Sequence, residues 1–273
     1  MLARSVLVGS VLVGTVLVRS MLALIRDAAG TDVLIGLMVA GIVAGLVRGF
    51  SGFGAAMIFV PVASALTDPA TAVILLFVID ELLTIPMVVS ATRRCSWREV
   101  LPLSIGALFT VPIGVWLLVA VDPTAMRWVI SILILVVVGV LATGWRWSRP
   151  PNLASTVAVG GASGLTGGMT GLGGPPVILF WMAGPDRPSV LRANVFVFLA
   201  FVGVFNLVGY VVGGLITAER LALGLALIPA YGLALLLGAR LFRYATPGFF
   251  RGLAFGLCAL AALTSLPLFD GLL

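Results

Sequence analysis

No histidine and no lysine occur in these 273 residues. Without imidazole, His-dependent triads, His proton relays and imidazole metal sites are excluded. Without lysine there is no Gly-x-x-x-x-Gly-Lys phosphate loop, so nucleotide-driven work by this chain alone is excluded too. Only two cysteines are present, Cys95 and Cys258. Far apart in sequence, they argue against a disulfide framework or a Cys-rich metal centre. Charge is scarce at 10%, against 61% hydrophobic residues and a mean hydropathy of +1.24. Soluble domains are about half apolar and about a quarter charged. This composition excludes a soluble enzyme, a nucleic-acid binder and a disordered chain, and leaves a polytopic α-helical membrane protein. The net charge of +6 is carried by 16 arginines, clustered between apolar runs as cytoplasmic loop charges are.

A spanning helix needs about 20 apolar residues to cross about 30 Å of hydrocarbon. Six stretches meet that length: Ala70–Thr92, Val100–Val121, Ala125–Trp145, Ser189–Val212, Arg220–Leu241 and Gly248–Leu268. Between them, Asp122-Pro123, Arg149-Pro150-Pro151, Asp186-Arg187-Pro188 and Thr246-Pro247-Gly248 carry turn and helix-start chemistry. Val33–Leu66 and Thr156–Ala183 differ. Each is broken near its middle by a Gly-rich run, Gly45–Ala56 and Gly164–Pro176. Glycine and proline at that density weaken a helix, so each stretch reads as a half-helix, a turn and another half-helix. Residues 1–30 read as a hydrophobic N-terminal extension. Within it, Val6–Leu24 is apolar but carries Arg19, and the sequence leaves open an extra span, an uncleaved signal anchor or an unordered segment.

The two broken stretches are copies of one another. At an offset of 119, Gly41, Gly45, Leu46, Gly49, Gly52 and Gly54 fall on Gly160, Gly164, Leu165, Gly168, Gly171 and Gly173. Ser51 falls on Thr170 and Pro69 on Pro188. The chain therefore reads as two homologous halves, 31–149 and 150–273, each a broken element followed by three spans. If both broken elements crossed the membrane, arginines would divide six to six between its two sides. If each leaves on the side it enters, Arg93, Arg94, Arg98, Arg146, Arg149, Arg187, Arg192, Arg240, Arg243 and Arg251 gather on one side, with only Arg127 and Arg220 opposite. The positive-inside rule favours the second arrangement. The expected fold is thus all-α and polytopic: two inverted repeats, each a re-entrant broken-helix hairpin plus three transmembrane helices.

Irregular backbone at membrane depth is tolerated where it is buried or lines a wet cavity, and paired breaks in inverted repeats mark substrate sites. A half-helix start presents unpaired N–H groups and partial positive charge, which favour an anion. Gly52, Gly54, Gly171, Gly173 and Gly174 are the turn-and-site candidates. Ser51 and Thr170 offer hydroxyls, and Pro175 and Pro176 suit a helix start. Gly41, Gly45, Gly49 and Gly160, Gly164, Gly168 have the spacing of close helix packing. Arg48, before the first turn, reads either as a side chain snorkelling to the headgroups or as an anion ligand. Asp80 and Glu81 lie mid-span. Pairing with Arg48 or Arg192 is one reading and proton coupling is the other. As adjacent helical positions diverge by about 100°, the two acids are not expected to face one cavity. Asn206 reads as helix–helix glue or as a residue facing substrate, and Asn194 likewise.

The runs GLVRGFSGFGAAMIFVP (Gly45–Pro61) and GLTGGMTGLGGPPVILF (Gly164–Phe180) resemble those of the TauE/SafE family of sulfite-exporter membrane permeases. The likeness extends from about residue 33 onward. The second run is the more specific, with Gly171, Gly173, Gly174, Pro175 and Pro176 in place. The first departs from the usual pattern, with Ala55 and Ala56 where further glycine is expected. The resemblance implies movement of sulfite, organosulfonates or related small oxyanions across the cytoplasmic membrane.

The reading is a multi-pass secondary transporter of a small anion, not an enzyme, with no cofactor and no metal. Its partners are the anionic solute and the lipid bilayer, with no nucleic acid; homo-oligomerisation stays open. Arg48, Ser51, Gly52, Gly54, Thr170, Gly171, Gly173, Gly174, Pro175 and Asn206 are the candidate binding residues, and Asp80 or Glu81 the candidate coupling acid. Energy would come from a gradient, and rocking of the two halves would give alternating access. The alternatives are a carrier of a different small organic anion, a channel, and a non-transporting membrane scaffold or partner subunit.

Overall fold

The computed structural model describes residues 30–52, 54–143, 152–181, 188–241 and 247–269. Val6–Leu24 lies outside the described residues, as do Arg146, Arg149, Asp186, Arg187 and Arg243 and the side chains of Ser51 and Arg251. Among the described residues the chain is wholly helical. Ten α-helices follow in order: α1 Thr31–Ser51, α2 Ala55–Leu66, α3 Pro69–Ala91, α4 Trp97–Ala120, α5 Pro123–Thr143, α6 Leu153–Thr170, α7 Gly174–Trp181, α8 Pro188–Val212, α9 Ala218–Leu241 and α10 Pro247–Thr264.

The starts follow local chemistry. Pro69, Pro123, Pro188 and Pro247 each occupy the first helical position, where a missing N–H costs nothing. Asp68 accepts the Thr71 N–H at 2.9 Å, and Asp122 accepts those of Thr124 and Ala125. Asn152 and Ser155 form a reciprocal capping box at α6.

Among the described residues six helices are long and apolar enough to cross a membrane: Thr31–Phe50, Pro69–Ala91, Trp97–Ala120, Pro123–Thr143, Ser189–Val212 and Ala218–Leu241. This set corrects two expectations. The first stretch does not begin with a half-helix, since α1 runs 21 residues, about 31 Å at 1.5 Å per residue. Its glycines do not break it because they are covered. A Cβ on Gly45 would lie 2.7 Å from the Tyr231 carbonyl oxygen of α9, and one on Gly49 would strike the Leu235 carbonyl. Likewise α6 runs 18 residues before its break. Each element is therefore a long arm, a turn and a short arm of 12 residues in α2 or eight in α7. The second correction concerns only the far end of Gly248–Leu268. Here α10 stops at Thr264, and Pro267–Phe269 forms a 3-10 turn.

The short arm of the first element folds back along the long one. Leu66, at the end of α2, packs 2.7 Å from where a Cβ on Gly36 would stand, and the Phe59 ring lies 3.9 Å from where one on Gly41 would stand. Eight of the 12 residues in α2 are buried, so this arm lies inside the bundle rather than on its wall. The closest helix pairs are α1 with α9 and α6 with α4. In the latter, Gly160 and Gly164 meet the backbones of Leu103 and Ala107. α3 packs on α9 and α8 packs on α4; α3 also meets α8, and α5 meets α10. Outward faces are apolar, as on α4 with Ile105, Phe109, Ile113 and Trp116 all exposed. In water such a surface would associate; against lipid tails it costs nothing.

Candidate functional site

The first turn is closed by two residues in the left-handed region, Gly52 at φ 77° and Gly54 at φ 96°, a conformation glycine adopts without a Cβ clash. Gly52 caps α1, its N–H donating to the Arg48 carbonyl at 2.8 Å. Gly54 opens α2. In the second turn Gly171, at φ 72°, caps α6 by donating to the Gly167 carbonyl at 3.0 Å. Three hydroxyls then hold that turn. Ser163 Oγ donates to the Gly173 carbonyl. Thr166 Oγ1 donates to the Leu172 carbonyl at 3.0 Å, and Thr170 Oγ1 to the Thr166 carbonyl at 2.8 Å.

Both turns line one cavity of about 100 Å³. Gly54, Ala55 and Ala56 border it from the first, and Gly171, Leu172, Gly173, Gly174 and Pro175 from the second. Gly171 stands close to Leu76, and Ala56 lies at 4.0 Å from a Cβ built on it. Helices α2 and α7 thus direct their N-termini at the same space. The first-turn N–H groups of Ala55, Ala56 and Gly174 have no intrahelical acceptor, and each end carries about half a positive charge.

Three spans complete the wall. Arg48, 9% exposed, is held by Asp80 through two contacts, Nε to Oδ1 at 3.1 Å and Nη2 to Oδ2 at 2.9 Å. Its Nη1 donates to the Gly52 carbonyl at 2.8 Å. Tyr231 Oη, from α9, donates to Asp80 Oδ1 at 2.6 Å. Arg48 therefore does not snorkel, and its charge is matched inside the protein. Asp80 and Glu81 both border the cavity, which corrects the expectation that they could not. The space wraps around α3 from Val73 to Val88, so diverging side chains meet different parts of it. Asp80 turns toward α1 and α9. Glu81 turns toward α8, its carboxylate lying over Gly203, with no hydrogen bond or ion pair among the described residues. Asn206 from α8, 7% exposed, also borders the cavity, and its Oδ1 has no partner among the described residues.

The candidates read from sequence thus separate. Arg48, Gly54, Asp80, Glu81, Gly171, Gly173, Gly174, Pro175 and Asn206 come together around the cavity. Gly52 and Thr170 stand outside its lining, with the Gly52 N–H and the Thr170 hydroxyl engaged in capping and back-bonding. The Ser51 side chain lies outside the described set. No group of three His, Cys, Asp or Glu capable of holding a metal gathers among the described residues.

The family model described as Sulfite exporter TauE/SafE matches residues 37–265. The chain belongs to the TauE/SafE family. Comparison with curated proteins and with solved structures gives no significant match. Members of TauE/SafE are membrane transporters of sulfur anions rather than enzymes. With six helices of spanning length, this one is a multi-pass membrane protein.

In this TauE/SafE chain, Tyr231 and Tyr210 are site residues the sequence reading passed over. Tyr210 borders the cavity and meets Phe77 edge-on at 5.4 Å. A tyrosine inside an apolar span was the available signal, since its hydroxyl needs a partner there. Asn194, by contrast, is structural: it accepts the Ser96 N–H at 2.7 Å and donates to Glu99 at 3.2 Å.

Proposed function

We propose that this protein is a secondary transporter of small sulfur oxyanions, sulfite or organosulfonates, across the cytoplasmic membrane, with the cavity between the two turns as its binding site. One observation carries the reading. Two helix N-termini border one small cavity inside a bundle of membrane-length helices, with the Asn206 side chain beside them. Backbone N–H groups and helix dipoles favour an anion there, and the amide supplies a further polar contact. A volume of about 100 Å³ suits a small oxyanion with a few waters, since about 10–15 Å³ of such space holds one water. The backbone of Gly54, Gly173 and Gly174 and the amide of Asn206 are the proposed ligands, Pro175 fixes the start of α7, and Arg48 holds the first turn through Gly52.

The division into repeats 31–149 and 150–273 belongs to the same proposal. Exchanging the halves maps α1/α9 onto α6/α4 and α3/α9 onto α8/α4, while α3/α8 and α5/α10 map onto themselves. A twofold relation between five-helix units has this pairing. If each broken element leaves the membrane on the side it enters and the three helices after it cross, the second unit is inverted, and rocking of one unit against the other exposes the site alternately.

The test is counterflow of labelled sulfite and a small sulfonate in proteoliposomes. Wild-type protein gives saturable counterflow, and Asn206→Leu weakens apparent affinity about tenfold or more, as loss of a hydrogen bond to a charged ligand does. Counterflow absent from folded wild-type protein overturns the reading.

A further inference from the structure

Of the charged groups around the cavity, one is left without a counter-charge. Arg48 and Asp80 neutralise each other, and Tyr231 completes the Asp80 shell. Glu81 has no such partner, and it occupies a boundary. Phe77, Glu81, Val88 and Ala200 line both the polar cavity and a second, apolar groove between α3 and α8 that Leu82, Ile85, Val204 and Leu207 flank. The carboxylate rests in the notch left by Gly203, where a methyl group would come within 2.6 Å of one of its oxygens. The titratable groups facing it are Asp80 on its own helix, Arg48 from α1 and Tyr210 from α8, while Tyr231 from α9 faces Asp80 instead. α2 brings none. Elsewhere on the packed elements Glu99 and Arg127 bond to Asn194 and Ser265, and Arg220 to Thr71 and Leu215.

We infer that Glu81 carries the proton that couples anion movement to the proton gradient, so that one proton and one anion occupy the site together. The inference rests on the anion-site reading above and deepens it. An ionised Glu81 beside the cavity repels an anion held at the helix N-termini, whereas the protonated acid leaves their positive ends unopposed. By linkage, the proton favours the anion and the anion favours the proton to the same degree. Water on one side of the membrane supplies the proton to a carboxylate oxygen. The loaded site turns to the other side, and the proton leaves with the anion. Asp80 does not share this role, because protonating it would strand Arg48 in the bundle.

The probe is a labelled alkyl sulfonate of one fixed negative charge, so that only the protein titrates. Wild-type proteoliposomes are expected to show an apparent affinity that tightens about tenfold per pH unit as pH falls through the titrating range. Inward sulfonate movement acidifies the lumen, read with an entrapped dye, and an imposed membrane potential leaves the flux unchanged because the net charge moved is zero. Glu81→Gln is expected to bind more tightly than wild type on the alkaline side of the titrating range, to lose the pH dependence and to abolish accumulation driven by a pH gradient. Counterflow whose affinity is pH-independent, together with net sulfonate uptake that leaves lumen pH unchanged, overturns the inference while the anion-site reading stands. Persistence of the pH dependence in Glu81→Gln does the same. No counterflow in folded wild-type protein overturns both. The wild-type dye measurement keeps the test decisive even where the variant fails to fold.

Discussion

The two turns solve one backbone problem with different chemistry. Each must end a long helix inside a membrane protein, reverse the chain and start a short helix at a shared cavity. The first is pinned by charge: Arg48 reaches forward to the Gly52 carbonyl and sideways to Asp80. The second is pinned by neutral hydroxyls, from Ser163, Thr166 and Thr170, on carbonyls of its own segment. At an offset of 119 Arg48 faces Gly167, where a Cβ would already lie 3.1 Å from Val202 and 3.2 Å from the Gly173 Cα. Two first-turn glycines lie at positive φ but only one in the second, where Gly173 does not. The two turns share the position of the break but not the bonds that hold it.

The sharpest way to break this symmetry is to remove one charge. Asp80→Ala leaves Arg48 buried without its counter-ion, which costs about 3–5 kcal/mol and has no equivalent in the second turn. The thermal midpoint in detergent is expected to collapse, and Arg48→Met with Asp80→Leu to recover most of it. A hydroxyl deletion is milder. Ser163→Ala strips the Gly173 carbonyl of its donor, at about 1–3 kcal/mol for a buried polar group left unmet, read in the same assay. The smallest contrast lies at the caps. Gly52→Ala and Gly171→Ala each place an L side chain at positive φ, costing about 1–2 kcal/mol. Gly171→Ala is the worse of the two, because its methyl would lie 3.2 Å from Leu76 whereas nothing stands within 4 Å of a methyl at position 52. Equal losses at the two caps would show that backbone strain alone sets the cost.

Much of the site was legible because its parts are rare in such a chain. A Gly-Pro-rich break in an apolar run and an acid pair in mid-span are conspicuous, and Arg48, Asp80, Glu81, Asn206 and the second-turn glycines duly border one cavity. The roles of individual atoms were not legible. Gly52 and Thr170 belong to the same motifs as Gly54 and Gly171, yet their donors serve caps and back-bonds. Asn194 and Asn206 look alike in sequence; one caps the start of α4 and the other keeps an unmet oxygen beside the cavity.

By itself the sequence determined the solvent, the secondary structure and the places where helices break. These depend on composition, run length and glycine or proline at fixed positions, all local along the chain. It misjudged arm lengths, because a glycine that would weaken an isolated helix is tolerated when another backbone covers it, as Tyr231 and Leu235 of α9 cover Gly45 and Gly49. Only the tertiary structure decided which charge found a partner. Arg48 and Asp80 are 32 residues apart and Tyr231 a further 151 along. Their meeting satisfies one acid and leaves its neighbour, Glu81, unpaired, since a pairing energy exists only between groups that packing has brought within a few ångströms.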